Sequence, residues 1–182
     1  MIESGIRKEN ISYEFAFSEK KSHAIELAEN AATLCYGTII AVGGDGTLNE
    51  VANGILKSNN ASDVILGMIP VGSGNDWCRM YGIPADHEKA IIILKSRKIF
   101  IQDVGIVKCR NGSDKIERYF VNIAGLGFDA KVVQKTNLQK DKGKRGKLLY
   151  LMNLFTSLFS YKAIEADILI DEKHIKTKFV RL

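Results

Sequence analysis

Long apolar runs are missing from this 182-residue sequence, and so is any close pairing of cysteines. No apolar run reaches the ~20 residues that cross a membrane as a helix, so we expect no transmembrane segment. Residues 1–9 lack the pattern of a secretory signal peptide. The three cysteines are widely spaced and contain no Cys-x-x-Cys pair, which favours reduced thiols over disulfides or a zinc site. These absences predict a cytoplasmic protein.

The composition is that of a globular protein with an excess of positive charge. Apolar residues make up 46% of the chain and charged residues 26%, which are ordinary values for a folded domain. The length suffices for one core, or for one domain and part of another. The net charge of +5 and the isoelectric point near 9.0 favour anionic partners. Composition does not choose among phosphates, nucleic acid and an anionic membrane surface.

A glycine-rich turn stands between an apolar run and a helical pattern. The run Thr-Ile-Ile-Ala at 38–41 predicts a buried strand, and Val-Gly-Gly-Asp-Gly-Thr follows at 42–47. Glycines let the backbone approach a ligand, and a helix N-terminus offers free N–H groups to an anion. Asp45 does not suit a phosphate unless a cation lies between the two. The turn alone therefore predicts either a nucleotide-phosphate site with Mg²⁺ or an ordinary turn with an aspartate cap.

A second turn of the same kind follows the next apolar strand. Residues 64–70 are largely apolar, and Val-Gly-Ser-Gly-Asn-Asp-Trp-Cys-Arg follows at 71–79. The carboxyl ends of neighbouring parallel strands lie at one edge of a sheet, where open α/β sheets bind ligands. We therefore expect the two turns to lie side by side and form one site.

The first half of the chain has the pattern of an α/β fold. In chain order it predicts strand 11–17, helix 19–34, strand 38–42, helix 47–57, strand 64–69, helix 76–81 and helix 86–95. This alternation argues for a parallel sheet with right-handed crossovers. We predict a partial three-layer nucleotide-binding domain with a parallel sheet over residues 1–96.

The second half has a different pattern. It predicts strands 99–107 and 118–123 around a turn at 111–114, helices 128–134 and 146–161, and a hairpin of strands 166–170 and 174–180. We predict an incomplete β-rich, sandwich-like domain over residues 97–182.

Five short motifs occur along the chain. They are Ser-Glu-Lys-Lys-Ser-His-Ala at 18–24, Gly-Gly-Asp-Gly-Thr at 43–47, Pro-Val-Gly-Ser-Gly-Asn-Asp-Trp-Cys-Arg at 70–79, Asp-Val-Gly at 103–105 and Asn-Ile-Ala-Gly-Leu-Gly-Phe-Asp-Ala at 122–130. As a set they resemble the catalytic domain of the diacylglycerol kinase and sphingosine kinase superfamily, with the bacterial soluble lipid kinases as the nearest branch. The resemblance implies an ATP-dependent kinase that transfers the γ-phosphoryl group to the hydroxyl of a diacylglycerol-like lipid with Mg²⁺. It also implies a protein that associates peripherally with membranes.

The resemblance and the two turns together assign the nucleotide-binding residues. The expected set is Ser18, Gly43, Gly44, Asp45, Gly46, Thr47, Asn49, Gly72, Ser73, Gly74, Asn75 and Arg79. Two of them have a second interpretation: Asn49 as a helix surface residue, and Arg79 as the partner of a surface acid rather than of phosphate.

Three aspartates near predicted strand ends are the candidate metal site. Carboxylates that converge repel one another unless a cation neutralises them. The resemblance implies a water-mediated Mg²⁺ network through Asp45, Asp76 and Asp103. The alternative is three unrelated turn or capping aspartates.

The resemblance also includes segments that this sequence does not contain. The family has an earlier strand with its own turn and a late Asp-Gly segment that carries the catalytic base, so we expect the base beyond Leu182. We therefore expect an internal piece that is inactive alone and whose open sheet edges favour association, for example as a homodimer. Two alternatives remain. One is an NAD kinase, which shares Gly-Gly-Asp-Gly but which the second turn argues against. The other is a noncatalytic anion-binding fragment.

Basic residues are concentrated before a helical apolar pattern. Residues 131–150 contain seven Lys or Arg and one Asp, a net charge of +6. A basic segment beside an apolar helix suits an anionic membrane surface, although a solvated loop before a core helix has the same pattern. The segment has no interleaved aromatic residues and no nucleic-acid-binding motif, so we expect no nucleic acid partner.

Overall fold

The computed structural model describes residues 2–141, 147–160 and 164–179. Their regular elements are helices, short strands and one 3₁₀ turn at Ala61–Asp63. In chain order the helices and strands are α1 (Ile2–Lys8), α2 (His23–Thr33), β1 (Thr38–Gly43), α3 (Asp45–Lys57), β2 (Ile65–Pro70), α4 (Asp76–Met80), α5 (His87–Lys95), β3 (Gly105–Asn111), β4 (Asp114–Phe120), α6 (Phe128–Asp141), α7 (Lys147–Ser160), β5 (Ile164–Ile170) and β6 (Lys173–Phe179).

The chain divides into two compact units, Met1–Ile123 and Ala124–Leu182. The first unit contains the parallel strands β1 and β2 and the antiparallel hairpin β3–β4, and the second contains the helices α6 and α7 and the hairpin β5–β6. The α/β character expected from the sequence is confirmed. The predicted domain boundary after residue 96 stays a prediction.

The parallel pair β1–β2 carries both glycine turns at its carboxyl end. The strands pair in register from Thr38 opposite Ile65 to Gly43 opposite Pro70. Helix α3 follows β1 directly, and α4 follows β2 after five residues. The first and second turns therefore leave the sheet at the same level.

The core of the first unit lies between the parallel strands and helices α2 and α3. Its members are apolar, and all but Met68 and Trp77 are small or branched: Ala24, Ala28, Ala41, Leu48, Val51, Ala52, Ile55, Met68, Trp77, Cys78 and Val121. Helix α3 packs closely on α2 at Gly54, where a Cβ would collide with the Ile25 carbonyl oxygen. Only glycine permits this approach, so the two helices pack backbone to backbone.

Most elements of the first half lie within a few residues of their predicted bounds, with two exceptions. Helix α1 was not predicted. The strand predicted over 11–17 is wrong, because these residues have no strand partner in the part of the chain that the structure describes. Along the segment the rings of Tyr13 and Phe15 instead stack, and those of Phe15 and Phe17 meet edge to face.

The hairpins of the second half are confirmed, but the first is shifted along the sequence. Strand β3 begins at Gly105 rather than near residue 99, because β4 ends at Phe120 opposite Gly105 and offers no partner to earlier residues. The predicted turn closes with Asn111 opposite Asp114. Hairpin β5–β6 turns at Asp171, as expected. Among the described residues no helix is long and apolar enough to cross a membrane.

Candidate functional site

The two glycine turns contact each other through their backbones. The Gly43 carbonyl oxygen accepts hydrogen bonds from the N–H groups of Val71 and Gly72, at 2.9 and 3.3 Å. A Cβ on Gly72 would lie 2.6 Å from the Gly44 Cα. Side chains at either position would push the turns apart, so the glycines permit this contact. The structure thus brings the two turns together at the carboxyl edge of the β1–β2 pair, as their spacing in the sequence predicts.

Asp45 joins the first turn to the helix that follows the second. Its carboxylate accepts hydrogen bonds from the backbone N–H groups of Asp76 and Trp77, at 3.1 and 3.0 Å. These are the first residues of α4, so Asp45 caps that helix rather than its own helix α3. The partial positive charge of the helix N-terminus offsets the negative charge of the carboxylate. This contact explains how the structure accommodates a carboxylate in the first glycine turn.

The N-terminus of α3 faces open space beside these turns. The first hydrogen bond of the helix runs from the Leu48 N–H to the Gly44 carbonyl, so the preceding N–H groups lack intrahelical partners. Gly46 is exposed, and a Cβ built on it meets nothing within 4 Å. Thr47 lies so close to Gly43 that any side chain there would collide with it. Donors and a hydroxyl are therefore available to a ligand with acceptor oxygens.

Asn75 shapes the second turn and leaves one acceptor unused. Its backbone is left-handed, with φ of 56°, and its Nδ2 donates to the Gly72 carbonyl oxygen at 2.7 Å. Its Oδ1 atom is buried and finds no hydrogen-bond partner among the described residues. A buried acceptor without a donor costs free energy, so this atom suits a donor brought by a ligand or its water. Ser73 and Gly74 of the same turn are exposed.

Arg79 forms an ion pair with Asp76 one turn earlier in α4. Both side chains are more than half exposed, and such surface pairs contribute little to stability. The second interpretation of Arg79, as partner of a surface acid, describes the structure. A phosphate contact by Arg79 stays a prediction, since a guanidinium has donors for both partners.

The three candidate metal aspartates do not form a ready metal site. Among residues 2–141, 147–160 and 164–179 no group of three His, Cys, Asp or Glu side chains could hold an ion directly. Asp45 is engaged with α4, Asp76 pairs with Arg79, and Asp103 is exposed. The oxygen ligands have the chemistry that Mg²⁺ prefers, but a network mediated by water stays a prediction.

Gln102 places the chain segment before Asp103 against α4. Its Oε1 accepts a hydrogen bond from Trp77 Nε1 at 2.9 Å, and its Nε2 donates to the Val121 carbonyl oxygen. Asp103 is the next residue in the chain and therefore lies close to α4. Ser18 is exposed and precedes α2. Its nucleotide contact also stays a prediction.

Two asparagines of α3 hold the β3–β4 hairpin, a role that the sequence interpretation missed. Asn53 is 1% exposed; it accepts from the Tyr119 N–H at 3.0 Å and donates to the Tyr119 carbonyl at 2.9 Å. The Asn49 amide donates to the same carbonyl at 3.1 Å, and its contact with a nucleotide stays a prediction. The sequence does contain a signal for this role: Asn53 is a polar residue on the apolar side of α3, four residues after Asn49.

Burial also affects the one cysteine next to the site. Cys78 in α4 is 1% exposed, and this burial raises the pKa of its thiol to about 11, with the negative charge of Asp45 adding to the rise. The thiol is therefore protonated at neutral pH. It acts as a small apolar core residue rather than as a nucleophile.

Comparisons with known proteins show which family the chain belongs to. A family model described as the diacylglycerol kinase catalytic domain matches residues 1–107, more than half of the chain. Two relatives named "Probable lipid kinase YegS-like" come from Yersinia pestis (strain Pestoides F) and Yersinia pseudotuberculosis serotype O:1b (strain IP 31758). Each is 33% identical over 163 residues, which make up 89% of this chain and 51% of the relative. The chain thus spans about half the length of these curated relatives.

A solved structure has a similar fold. The crystal structure of a diacylglycerol kinase from Bacillus anthracis str. Sterne matches with a TM-score of 0.63 at 20% identity, over 97% of this chain and 56% of that chain. At this identity the likeness concerns the fold. The resemblance to bacterial lipid kinases expected from the motifs is confirmed, and the chain belongs to the diacylglycerol kinase catalytic domain family.

Proposed function

We propose that this chain is the nucleotide-binding part of an ATP-dependent lipid kinase. The two glycine turns bind the phosphates of ATP, and the γ-phosphoryl group passes to the hydroxyl of a diacylglycerol-like lipid. The observation that carries the proposal is the direct contact of the two turns at the end of the parallel strand pair. Kinases of the matching family use ATP, and ligands of α/β sheets bind at this edge.

In this proposal the phosphates are bound mainly by backbone N–H groups, and Arg79 is the basic side chain that would add donors to them. The first turn of α3 supplies donors with a favourable dipole, and Thr47 adds a hydroxyl. Gly46 lets the phosphates approach the backbone because no Cβ stands in the way. Such fixed donors stabilise negative charge on the transferring group without rearranging. The two turns would lie at the edge of the predicted three-layer domain.

Mg²⁺ accompanies the phosphates in this proposal and neutralises their charge. Asp45, Asp76 and Asp103 would hold its water ligands rather than the ion itself, since they do not form a three-carboxylate group. Asp45 would serve this role while it caps α4.

A substitution at Gly46 tests the nucleotide site with little risk to the fold. A Cβ here meets no protein atom within 4 Å, and alanine favours helix over glycine. We expect Gly46→Ala to keep the thermal stability of the chain and to weaken Mg·ATP binding by about tenfold or more, or ~1.4 kcal/mol. Isothermal titration calorimetry measures the affinity.

Gly37→Ala is the matched control. A Cβ at Gly37 also meets nothing within 4 Å, and this residue lies before β1, at the opposite end of the strand from the turns. We expect its affinity for Mg·ATP to equal that of the wild type. Equal affinities for Gly46→Ala and the wild type would refute the proposed phosphate site.

A further inference from the structure

The chain just before α2 is tied to α3 by one carboxylate. The Glu50 Oε1 atom accepts a hydrogen bond from the Ser22 backbone N–H at 3.1 Å, across 28 positions of the sequence. Ser22 directly precedes α2, and its backbone is left-handed with φ of 65°. Residues other than glycine seldom adopt this conformation, and they keep it only where the surrounding structure fixes it. The half-buried Glu50 side chain supplies such a fixed contact.

The same stretch of chain is also closed by the first residue of α2. The His23 Nδ1 atom accepts a hydrogen bond from the Glu19 N–H at 3.1 Å, and the His23 N–H donates to the Lys20 carbonyl oxygen at 3.2 Å. Residues 19–23 thus form one compact turn, here called the α2 turn. It follows Ser18, for which a nucleotide contact is predicted. Together with the bond from Glu50, these hydrogen bonds give the turn a defined position next to α3.

The α2 turn lies beside the end of α3 that carries the proposed phosphate site. Glu50 meets Ser22, immediately before α2. Gly54, one helical turn further along α3, packs on Ile25 and Ala28, which lie further along α2. The contacts therefore advance along both helices together. The two helices run in the same direction, and their first turns lie side by side.

The Glu50 carboxylate itself lies close to the first turn of α3. Glu50 follows Gly46 and Thr47 by four and three residues, a spacing that places all of them on one side of the helix. A helical side chain also leans toward the N-terminus and covers the turn that precedes it. The α2 turn, which the carboxylate holds, is therefore next to the N–H groups that the proposed function assigns to the phosphates.

Two lysines occupy the middle of the α2 turn. Lys20 and Lys21 are exposed, and neither forms an ion pair with a residue that the structure describes. The Glu50 carboxylate by itself would repel a phosphate at this place, whereas two ammonium groups outweigh its charge. Lysine has a flexible four-carbon stem, and its ammonium group binds phosphate as a point charge.

We propose that Glu50 is a positioning residue that holds the α2 turn beside the first turn of α3, where Lys20 and Lys21 bind the phosphates of the nucleotide. The inference deepens the proposed function and rests on it for the presence of phosphates at this turn. It adds a second basic element to Arg79. Glu50 touches no phosphate and acts through its hydrogen bond to Ser22.

A matched pair of substitutions at Glu50 separates its hydrogen bond from its charge. Glu50→Gln removes the negative charge but keeps an oxygen that accepts the Ser22 N–H, whereas Glu50→Ala removes both. Without a positioning role, loss of the charge alone would leave both variants with the affinity of the wild type for Mg·ATP or a higher one.

Isothermal titration calorimetry distinguishes the two cases. We expect Glu50→Gln to bind Mg·ATP at least as tightly as the wild type, and Glu50→Ala to bind it about fivefold less tightly because the α2 turn is released. Equal affinities of the two variants would overturn the proposal.

Loss of the lysines tests the phosphate contact. The double variant Lys20→Gln, Lys21→Gln should bind Mg·ATP about tenfold less tightly at low salt. The control, Lys8→Gln with Lys57→Gln, loses the same charge from two exposed lysines at the ends of α1 and α3. Lys57 lies ~16 Å along the helix axis from Gly46. We expect the control to bind like the wild type, and the difference between the two double variants to shrink as salt screens the charges.

The lysine variant also protects the test against a failure to fold. Both lysines are exposed, so their substitution should leave the melting temperature unchanged. Equal affinities of the two double variants for Mg·ATP at low salt would refute the phosphate contact and with it the proposal.

A double-mutant cycle shows whether Glu50 acts through the lysines. Groups that act together give non-additive effects, whereas independent groups give additive ones. We expect Glu50→Ala to weaken Mg·ATP binding in the wild type, but to change it by about twofold or less where Lys20 and Lys21 are already Gln. A loss by the same factor in both backgrounds would mean that Glu50 acts on the fold or on another contact, and the proposal would be wrong.

Gly46→Ala separates this inference from the proposed phosphate site. If Gly46→Ala loses affinity for Mg·ATP and the variant without Lys20 and Lys21 does not, the phosphate site stands and this inference is wrong. If Gly46→Ala binds Mg·ATP as the wild type does, or if the wild type does not bind it, the proposed function and this inference fail together.

Discussion

At the scale of single residues, two polar side chains of the first unit are matched to backbone groups of another element. Asn53 satisfies both backbone groups of Tyr119, and Asp45 takes two N–H groups of α4. Each side chain replaces hydrogen bonds that water would otherwise make. A short polar side chain therefore fixes the position of a neighbouring element.

The buried thiol of Cys78 yields a pH-dependent stability. Its folded-state pKa of about 11 lies above the ~8.5 of an unfolded cysteine. The stability that it contributes is therefore complete below the unfolded pKa and is lost as the pH rises through 9 toward 11, because the unfolded chain loses the proton first. We expect the free energy of unfolding to fall by about 2 kcal/mol between pH 8 and 10.5 from this group.

The control is Cys78→Ala, which removes the thiol and keeps a small apolar residue. Urea titrations at both pH values, followed by the fluorescence of the single tryptophan, Trp77, give the two free energies of unfolding. Other titrating groups affect both proteins equally. The prediction concerns the difference in the free energy of unfolding between the wild type and Cys78→Ala. A difference that stays the same at both pH values would contradict it.

At the scale of elements, the five-residue helix α4 depends on a residue of another element. A helix this short is not stable by itself, so its first N–H groups need the Asp45 carboxylate. We expect Asp45→Ala to lower the free energy of unfolding by about 1 kcal/mol, the usual cost of a lost cap. The substitution also removes the hydrogen bonds that fix the second turn to the first. The affinity for Mg·ATP should therefore fall together with the stability.

Asp45→Asn separates the cap from the charge. The amide oxygen still accepts a hydrogen bond from α4, so most of the stability should return in the urea titration. If the carboxylate also acts on Mg²⁺ through water, calorimetry with Mg·ATP should show the affinity still lowered. Full recovery of both quantities would assign Asp45 a structural role alone.

At the scale of the whole molecule, ligand binding and stability are linked. A ligand at 100 times its Kd stabilises the folded state by about 2.7 kcal/mol, which raises the melting temperature of a domain of this size by about 5 °C or more. Trp77 is the second residue of α4 and lies beside the proposed site, so its fluorescence reports the melting of the first unit. We expect saturating Mg·ATP to raise this melting temperature in the wild type and in Gly37→Ala.

Thermal unfolding of the Gly46→Ala variant, with and without Mg·ATP, is the sensitive comparison. Without ligand its melting temperature should equal or exceed that of the wild type, since alanine replaces glycine in a helix. Addition of Mg·ATP should hardly change the melting temperature of this variant. A full ligand-induced rise in Gly46→Ala would place the nucleotide away from the first turn of α3.

The sequence by itself determined which segments fold locally and which family they belong to. The apolar runs before 42–47 and 71–79 predicted β1 and β2, and the motifs there identified the family because turns that approach a ligand require particular residues at particular spacings. These properties depend on neighbouring residues along the chain. They can therefore be recognised without a tertiary structure.

Only the tertiary structure decided which distant groups meet. The alternation over 11–17 indicated a strand, but a strand exists only where another chain segment pairs with it, and none of the described residues does. Asp45 was expected to serve a cation or its own helix, and it caps α4, 31 residues later. Contact with α6 decided which side of α7 is buried, because it buries Asn153 and leaves Phe155 exposed. Hydrogen bonds and burial of this kind depend on spatial neighbours, and a sequence pattern specifies the periodicity of a face but not what covers it.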